Sequence, residues 1–146
     1  MAKILILNGP NLNMLGTREP EKYGYETLAD LESNLSALAK ALGVQVKFFQ
    51  SNAEHQIIDE IHNIFSEPVD AVIVNPGAFT HTSIAIRDAF LSVNVPFYEV
   101  HLSNIYQRES FRHKSYFSDI ARAVICGMGT AGYEYALRDA VRHFEH

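Results

Sequence analysis

Five short apolar runs alternate along the chain with longer stretches in which apolar residues recur every three or four positions. Each run has the length and the β-branched content of a strand that is buried on both faces of a sheet. The predicted strands are residues 3–8, 44–50, 71–75, 95–100 and 121–126.

The stretches between the runs predict four amphipathic helices. The first covers residues 28–42, where leucines recur at spacings of three and four. Thr27 and Asp30 form a capping-box variant at its start, and Gly43 suits the left-handed position that ends it. The others are predicted to begin near Ser51 and to cover about residues 82–92 and 130–144.

Strict alternation of strand and helix predicts a single α/β domain, residues 1–146, with a parallel sheet covered on both faces. Five strands suit the flavodoxin-like order 2-1-3-4-5, in which ligands bind beyond the carboxyl ends of the strands, near strands 1 and 3. The long loops at residues 9–26 and 101–118 follow strands 1 and 4, and loops of that length are usually functional or disordered. Both contain many polar and aromatic residues, which favours a function.

Composition and charge narrow the classes of partner. The chain is 47% hydrophobic and 20% charged, as in soluble globular proteins, and no apolar run has the length of a membrane span. Its net charge of -5 argues against nucleic acid or an anionic membrane as a partner. Cys126 is the one cysteine, so no internal disulfide can form, and we interpret it as a buried strand residue. We expect a cytoplasmic protein.

The loop after the first strand contains Arg18 and Tyr23. A nearby guanidinium favours a tyrosinate and lowers the pKa of the phenol, which could make Tyr23 a base near neutral pH. The alternative is a long surface turn, which explains the glycines and prolines of the loop but gives no reason for this pair.

The segment after the third strand begins with a turn at Asn75 and continues to His81. Thr80 or Thr82 could cap the next helix, whose amino terminus would suit a carboxylate. His81 is either a ligand-binding residue or a helix-start residue bonded to a carbonyl group. Farther along that helix, Arg87 and Asp88 are typical of a solvated face.

The segment after the fourth strand combines a carboxylate, a histidine and two arginines. Glu99 and His101 are two residues apart and therefore share one face of the strand. A carboxylate can orient the imidazole ring for general acid catalysis, although a strand-end histidine that is merely satisfied is the alternative. Arg108 and Arg112 could present two guanidinium groups to one carboxylate, or could belong to a solvated basic loop.

Several other known motifs do not fit this sequence. Residues 127–132 match a dinucleotide-binding pattern, but too little chain follows for the next strand, so the pattern indicates close packing of strand and helix. A phospho-receiver domain would need acidic residues where Asn8, Asn11 and Asn75 stand. The chain has no Gly-x-Ser-x-Gly elbow and no convincing metal spacing.

Four segments occur in the order and register of one enzyme family. The first reads Ile-Leu-Asn-Gly-Pro-Asn-Leu-Asn at 6–13, then Leu-Gly at 15–16, Arg-Glu-Pro at 18–20 and Tyr-Gly at 23–24. The second reads Asn-Pro-Gly-Ala at 75–78, Thr-His-Thr-Ser at 80–83 and Arg-Asp-Ala at 87–89. The third begins Glu-Val-His-Leu-Ser-Asn at 99–104 and extends to residue 115, and the fourth covers 127–133. Together they resemble the motifs of the type II 3-dehydroquinate dehydratases over nearly the whole chain.

The resemblance implies a flavodoxin-like lyase of the shikimate pathway that forms a dodecamer built from trimers. It implies reversible conversion of 3-dehydroquinate to 3-dehydroshikimate by syn elimination through an enolate, with no metal or other cofactor. By position, Tyr23 would be the base, Arg18 would support its ionised form, and His101 would be the acid. Asn11 would hold a water molecule that stabilises the enolate oxygen.

The resemblance also implies a set of substrate-binding residues. They are Asn75, His81, Arg112 and the backbone around Leu102 and Ser103, with Asp88 reaching the site of a neighbouring subunit. Two rival functions remain open, a flavodoxin-like module that binds nucleotide or flavin and a non-catalytic assembly protein.

Overall fold

The fold is a parallel sheet between two layers of helices. The computed structural model describes residues 1–17, 21 and 24–144. Its strands are β1 (Lys3–Asn8), β2 (Gln45–Gln50), β3 (Ala71–Asn75), β4 (Phe97–His101) and β5 (Ala123–Cys126). All pairings are parallel and the order is β2-β1-β3-β4-β5, which confirms the predicted flavodoxin-like topology.

The four predicted helices are present. They are α1 (Leu28–Leu42), α2 (Glu54–His62), α3 (Ile84–Val93) and α4 (Ala131–Phe144). One apolar core lies between the sheet and the pair α1 and α4, and a second lies between the sheet and the pair α2 and α3. In the part of the chain that the structure describes, no helix is long and apolar enough to cross a membrane.

Burial differs between the central strands and the edge strands. Apart from Lys3, every residue of β1, β3 and β4 is buried, whereas β2 and β5 are only partly buried. The prediction that each strand is buried on both faces is therefore wrong for β2 and β5, because they form the two edges of the sheet. Cys126, at the end of β5, is half-buried rather than buried.

Three strands begin later than predicted, β2 by one residue at Gln45 and β4 and β5 by two residues each. β4 begins at Phe97, because Pro96 lacks the N–H group that a central strand donates. β5 begins at Ala123, because the Ala121 N–H donates to the Phe117 carbonyl oxygen at 3.0 Å and so belongs to the preceding turn. At its other end, β4 extends one residue beyond the prediction and includes His101.

The ends of α1 follow the prediction closely. Thr27 Oγ1 accepts from the Asp30 N–H, and Asp30 Oδ2 accepts from the Thr27 N–H, both at 3.1 Å. Gly43 ends the helix with a left-handed φ of 74°. The second helix begins at Glu54 rather than near Ser51, because the Ser51 N–H donates to the Asn8 carbonyl at 3.1 Å and stays with the sheet.

The third helix begins later than predicted and has a different cap. A short 3₁₀ helix, Gly77–His81, separates β3 from α3. Ser83 then caps α3, because its Oγ accepts from the Ile86 N–H at 3.0 Å. The expectation that Thr80 or Thr82 caps this helix is wrong, and Thr80 is fully buried beneath the segment.

Candidate active site

A cavity of about 230 Å³ lies at the carboxyl ends of β1, β3 and β4, where the topology predicts ligand binding. Most of the predicted site residues line it, namely Asn11, Asn75, His81, His101, Leu102, Ser103 and Arg112. A larger cavity of about 560 Å³ lies beside the amino-terminal ends of β1 and β2. We place the site in the smaller cavity because it gathers two histidines and two arginines.

The wall formed by residues 9–11 is fixed by the end of β2. Asn52 Oδ1 accepts from the Asn11 N–H at 2.9 Å, and Gln50 Nε2 donates to the Gly9 carbonyl at 3.1 Å. Asn11 has a left-handed φ of 70°, a conformation that asparagine tolerates better than most residues. A Cβ atom on Gly9 would lie 2.4 Å from the Pro76 oxygen, so only glycine lets the two walls approach this closely.

The third strand contributes Asn75 and, through the 3₁₀ helix, His81. Asn75 is buried, and its Oδ1 accepts from the Gly77 N–H at 3.1 Å, which shapes the turn beneath the cavity. His81 Nδ1 bonds to the Lys114 carbonyl oxygen at 2.7 Å. The interpretation of His81 as a residue bonded to a carbonyl group is confirmed, and its place in the cavity lining is the one that the ligand-binding interpretation requires.

The His81 ring is held in its neutral form. Burial lowers its pKa, as do the positive charges of His101 and Arg112, and these effects outweigh the bond to the Lys114 carbonyl. Its ring lies parallel to that of His101, with 6.5 Å between the centroids. With Nδ1–H donating to the carbonyl, the neutral ring leaves Nε2 as an acceptor for a hydroxyl group in the cavity.

The fourth strand brings a carboxylate to a histidine. Glu99 and His101 are both buried, and His101 Nε2 lies 2.5 Å from Glu99 Oε2. Burial acts to raise the pKa of the Glu99 carboxyl, but the hydrogen bond and charge of His101, together with Ser118 and Ser115, hold it below its ordinary value. An ionised Glu99 can stabilise a protonated His101, which is the arrangement that general acid catalysis needs.

Sequence reasoning missed three hydroxyl groups around Glu99. Thr80 Oγ1 donates to Glu99 Oε2 at 3.1 Å, Ser118 Oγ donates to Oε1 at 2.8 Å, and Ser115 Oγ lies 2.9 Å from Thr80 Oγ1. Thr80 and Ser118 are each 19 residues from Glu99, so no local spacing reveals them. The available signal is general, because a buried carboxylate requires donors.

The two arginines line the cavity but have different environments. Arg112 Nε donates to Glu109 Oε2 at 2.8 Å, and this bond holds the pKa of the Glu109 carboxyl below its ordinary value. Arg108 reaches Ser103 Oγ at 3.4 Å. Within the described residues, Arg108 Nε is a buried donor with no partner. The arrangement suits an anionic ligand, as the sequence predicts.

Three predicted site residues lie elsewhere or outside the described part. Asp88 is exposed on α3 and does not line the cavity of its own chain. Arg18 and Tyr23 lie outside the described residues. Arg87, the neighbour of Asp88 on the chain, is half-buried and donates to Asp119 at 2.5 Å and to the Tyr116 carbonyl at 2.8 Å.

The glycine-rich segment, residues 127–132, packs against β4 and β5 next to the site. A Cβ atom on Gly132 would lie 3.2 Å from side-chain atoms of Ile125 and Val100, which confirms close packing of strand and helix. The Gly129 N–H donates to the Leu102 carbonyl at 3.0 Å, so this segment also fixes the backbone of the cavity wall. The described residues contain no group of three or more His, Cys, Asp or Glu that could hold a metal ion.

The sheet order defines a flavodoxin-like α/β protein, and the buried pair of Glu99 and His101 lies at the carboxyl edge of its sheet. A family model described as dehydroquinase class II matches residues 2–141, and the chain belongs to that family. It is 61% identical over 139 residues to a 3-dehydroquinate dehydratase from Sodalis glossinidius (strain morsitans), which covers 95% of this chain and 92% of the relative. It is 60% identical over 142 residues to one from Methylococcus capsulatus, with 97% and 96% covered.

Solved structures give the same result. The crystal structure of a type II dehydroquinase from Butyrivibrio crossotus superposes with a TM-score of 0.93 at 42% identity, covering 95% of this chain and 97% of that one. A type II dehydroquinase from Propionibacterium acnes superposes with a TM-score of 0.93 at 41% identity, covering 97% of both chains.

Proposed function

We propose that the chain is a 3-dehydroquinate dehydratase that removes water from 3-dehydroquinate to give 3-dehydroshikimate, reversibly and through an enolate. The observation that carries the proposal is the buried pair of His101 and Glu99 in a cavity with Arg112, in a chain of the class II dehydroquinase family. Curated relatives with about 60% identity bear the name of this enzyme.

His101 is the proposed acid. As the carbon–oxygen bond breaks, the electron pair leaves with the oxygen, and His101 transfers a proton to it so that the group departs as water. Glu99 Oε2 holds His101 Nε2, so the other ring nitrogen, Nδ1, is the one that delivers the proton. The anionic Glu99 faces the protonated ring and stabilises its positive charge.

Tyr23 is the proposed base and Arg18 the positive group that keeps it ionised. Both lie outside the described residues, and Leu15, three residues before Arg18, lines the cavity. The phenolate takes the carbon-bound proton next to the ketone, and the electron pair of that bond moves onto the ketone oxygen to give the enolate. Asn11, in the wall formed by residues 9–11, holds the water that stabilises this oxygen.

We propose that the base and the acid act on opposite faces of the substrate ring. The loop that contains Tyr23 follows β1 in the sequence, whereas His101 ends β4, and β3 lies between these two strands. The elimination would then take an anti course, in place of the syn course expected from the resemblance.

The remaining cavity residues bind the substrate. Arg112 is held by Glu109 and attracts the substrate carboxylate, together with the backbone at Leu102 and Ser103. The neutral ring of His81 and the side chain of Asn75 bind hydroxyl groups. These are groups that a cyclic polyhydroxy acid offers, whereas a flavin would need a much larger apolar cleft.

The wider proposals concern assembly and setting. We propose a dodecamer built from trimers in which Asp88 completes the site of a neighbouring subunit, because Asp88 is exposed and lies away from its own cavity. Sedimentation of the purified protein tests this. We further propose that residues 1–146 act as one catalytic domain, in the cytoplasm, without a cofactor or a nucleic-acid partner, in aromatic biosynthesis.

The test of the reaction is a spectrophotometric assay of purified protein with 3-dehydroquinate. The product contains a conjugated enone, so ultraviolet absorbance should rise, and the rise should survive dialysis against a chelator. Protein that produces no enone would contradict the proposal. A yellow preparation whose colour is lost on removal of a bound flavin would instead favour the flavin-binding alternative.

A further inference from the structure

Three hydroxyl groups lie around Glu99, and none of them takes part in the proposed reaction. Glu99 is fully buried. Its Oε2 accepts from Thr80 and His101, and its Oε1 accepts from Ser118 at 2.8 Å, so both carboxylate oxygens have donors. Such saturation matters because a buried carboxylate without donors would take up a proton and lose its charge.

Ser115 adds a further hydrogen bond to these hydroxyl groups and determines how their O–H bonds are oriented. The Phe117 N–H donates to Ser115 Oγ at 3.0 Å, and Ser115 Oγ lies 2.9 Å from Thr80 Oγ1. Thr80 directs its own proton to Glu99, so the proton between the two hydroxyls belongs to Ser115. The dipoles of the two O–H bonds therefore align in series, and each bond strengthens the next towards the carboxylate.

Thr80 and Ser118 bond to Glu99, Ser115 bonds to Thr80, and none of the three hydroxyl groups faces the cavity. Among the residues that the structure describes, those lining the cavity do not include Thr80, Ser115 or Ser118. Thr80 precedes His81 on the chain, and the two serines follow Arg112. The three hydroxyl groups thus connect the two loops that contain proposed binding residues with β4, the strand that contains His101.

We propose that Thr80, Ser115 and Ser118 are positioning residues that keep Glu99 an anion aimed at His101 and so set the rate of proton delivery. The inference rests on the proposed function and deepens it. None of the three atoms reacts. Each acts through Glu99, and loss of one donor leaves the carboxylate both less ionised and freer to rotate away from the imidazole.

Kinetics of hydroxyl-deletion variants form the first part of the test. Thr80→Val and Ser118→Ala should each lower kcat roughly 10-fold to 100-fold, the value of a hydrogen bond to a charged group, with little change in KM. Thr80→Ser keeps the donor and should stay near the wild type. Ser92→Ala is the control, because its hydroxyl donates to the Asp88 carbonyl on α3 and is remote from Glu99.

A titration of the free protein forms the second part and does not depend on turnover. The carboxyl ¹³C resonance of Glu99, assigned by its loss in Glu99→Gln, reports its ionisation. The pKa of Glu99 should rise by about one unit in Thr80→Val and in Ser118→Ala, and should not move in Ser92→Ala. If Thr80→Val does not fold, the comparison of Ser118→Ala with Ser92→Ala decides the matter alone.

The outcomes separate the two proposals. Folded Thr80→Val and Ser118→Ala proteins with unchanged kcat and an unchanged Glu99 titration would overturn the positioning role, while enone formation by the wild type would leave the proposed function intact. A wild type that forms no enone would contradict the proposed function and, with it, the role of the hydroxyl groups in proton delivery. The titration would then still decide whether the hydroxyls keep Glu99 ionised.

Discussion

Glu99 and His101 stand two residues apart on β4 with their side chains on one face, and Glu99 Oε2 lies 2.5 Å from His101 Nε2. Both side chains are buried, and the pair lies where the central strand opens into the cavity. A charge placed on His101 is therefore balanced inside the protein rather than by solvent. The acid role of His101 depends on this relationship, and the first prediction tests it.

Replacing Glu99 by glutamine removes the charge and keeps the shape. We expect Glu99→Gln to lower kcat by about 10²-fold or more, because the neutral amide cannot stabilise a protonated His101. KM should change much less, since Glu99 does not line the cavity. Steady-state kinetics measure both constants, and a variant with normal kcat would show that the charge is dispensable.

For Glu99→Gln we also predict a change in how the stability of the fold depends on pH. The pKa of Glu99 is lowered in the folded protein from its ordinary value of 4.5. The contribution of ionised Glu99 to the free energy of unfolding is therefore complete above pH 4.5 and is lost as the pH falls through the folded-state pKa. In Glu99→Gln, the free energy of unfolding should depend less steeply on pH in this acid range, as urea denaturation at several pH values would show.

The proposed binding of the substrate carboxylate depends on the planar guanidinium group of Arg112. Its Nε donates to Glu109, and a lysine cannot keep that bond while also presenting two donors to a carboxylate. We expect Arg112→Lys to raise KM about 10-fold or more and to affect kcat less. Arg142→Lys, on the exposed end of α4, is the matched control and should leave KM unchanged.

Close approach of two cavity walls depends on Gly9. A Cβ atom there would lie 2.4 Å from the Pro76 oxygen, so one backbone segment must move. We expect Gly9→Ala to destabilise the fold by about 1–3 kcal/mol and to lower activity as well. Gly43→Ala is the control for a glycine remote from the site. Nothing lies within 4 Å of its Cβ position, so its left-handed φ should cost about 1–2 kcal/mol without a kinetic defect.

The stereochemical course separates the two possible geometries of elimination. Substrate that is stereospecifically deuterated at the carbon next to the ketone reports which face loses its proton. The proposed anti course predicts that the hydrogen opposite the departing hydroxyl is lost. Retention of that hydrogen in the product would contradict the anti course and place the base and the acid on the same side of the ring.

Sequence patterns predicted the topology because each element carries its own local signal. The capping box at Thr27 and the terminal glycine at Gly43 are local chemistry, and both are present. The partial burial of β2 and β5 was not predicted, because a strand at the edge of a sheet can have the same apolar composition as a central one. Which strands are edges is decided by the assembled sheet.

The residues of the site also divide into those that could be predicted from the sequence and those that could not. The pairing of Glu99 with His101 follows from the two-residue period of a strand and could be predicted. The donors Thr80 and Ser118 could not, since they reach Glu99 across 19 residues through the packing of two loops. Nor could the true cap of α3 be predicted, because three possible capping hydroxyls stand close together and the intervening 3₁₀ helix selects Ser83.

The central claim is that this cavity dehydrates 3-dehydroquinate with His101 as the acid. The most direct measurement is the rate of enone formation from 3-dehydroquinate by the wild type and by His101→Ala at saturating substrate. The account predicts rapid enone formation by the wild type and a kcat about 10²–10⁴-fold lower for the folded variant, with a smaller change in KM. A wild type without enone formation, or a His101→Ala protein with normal kcat, would contradict it.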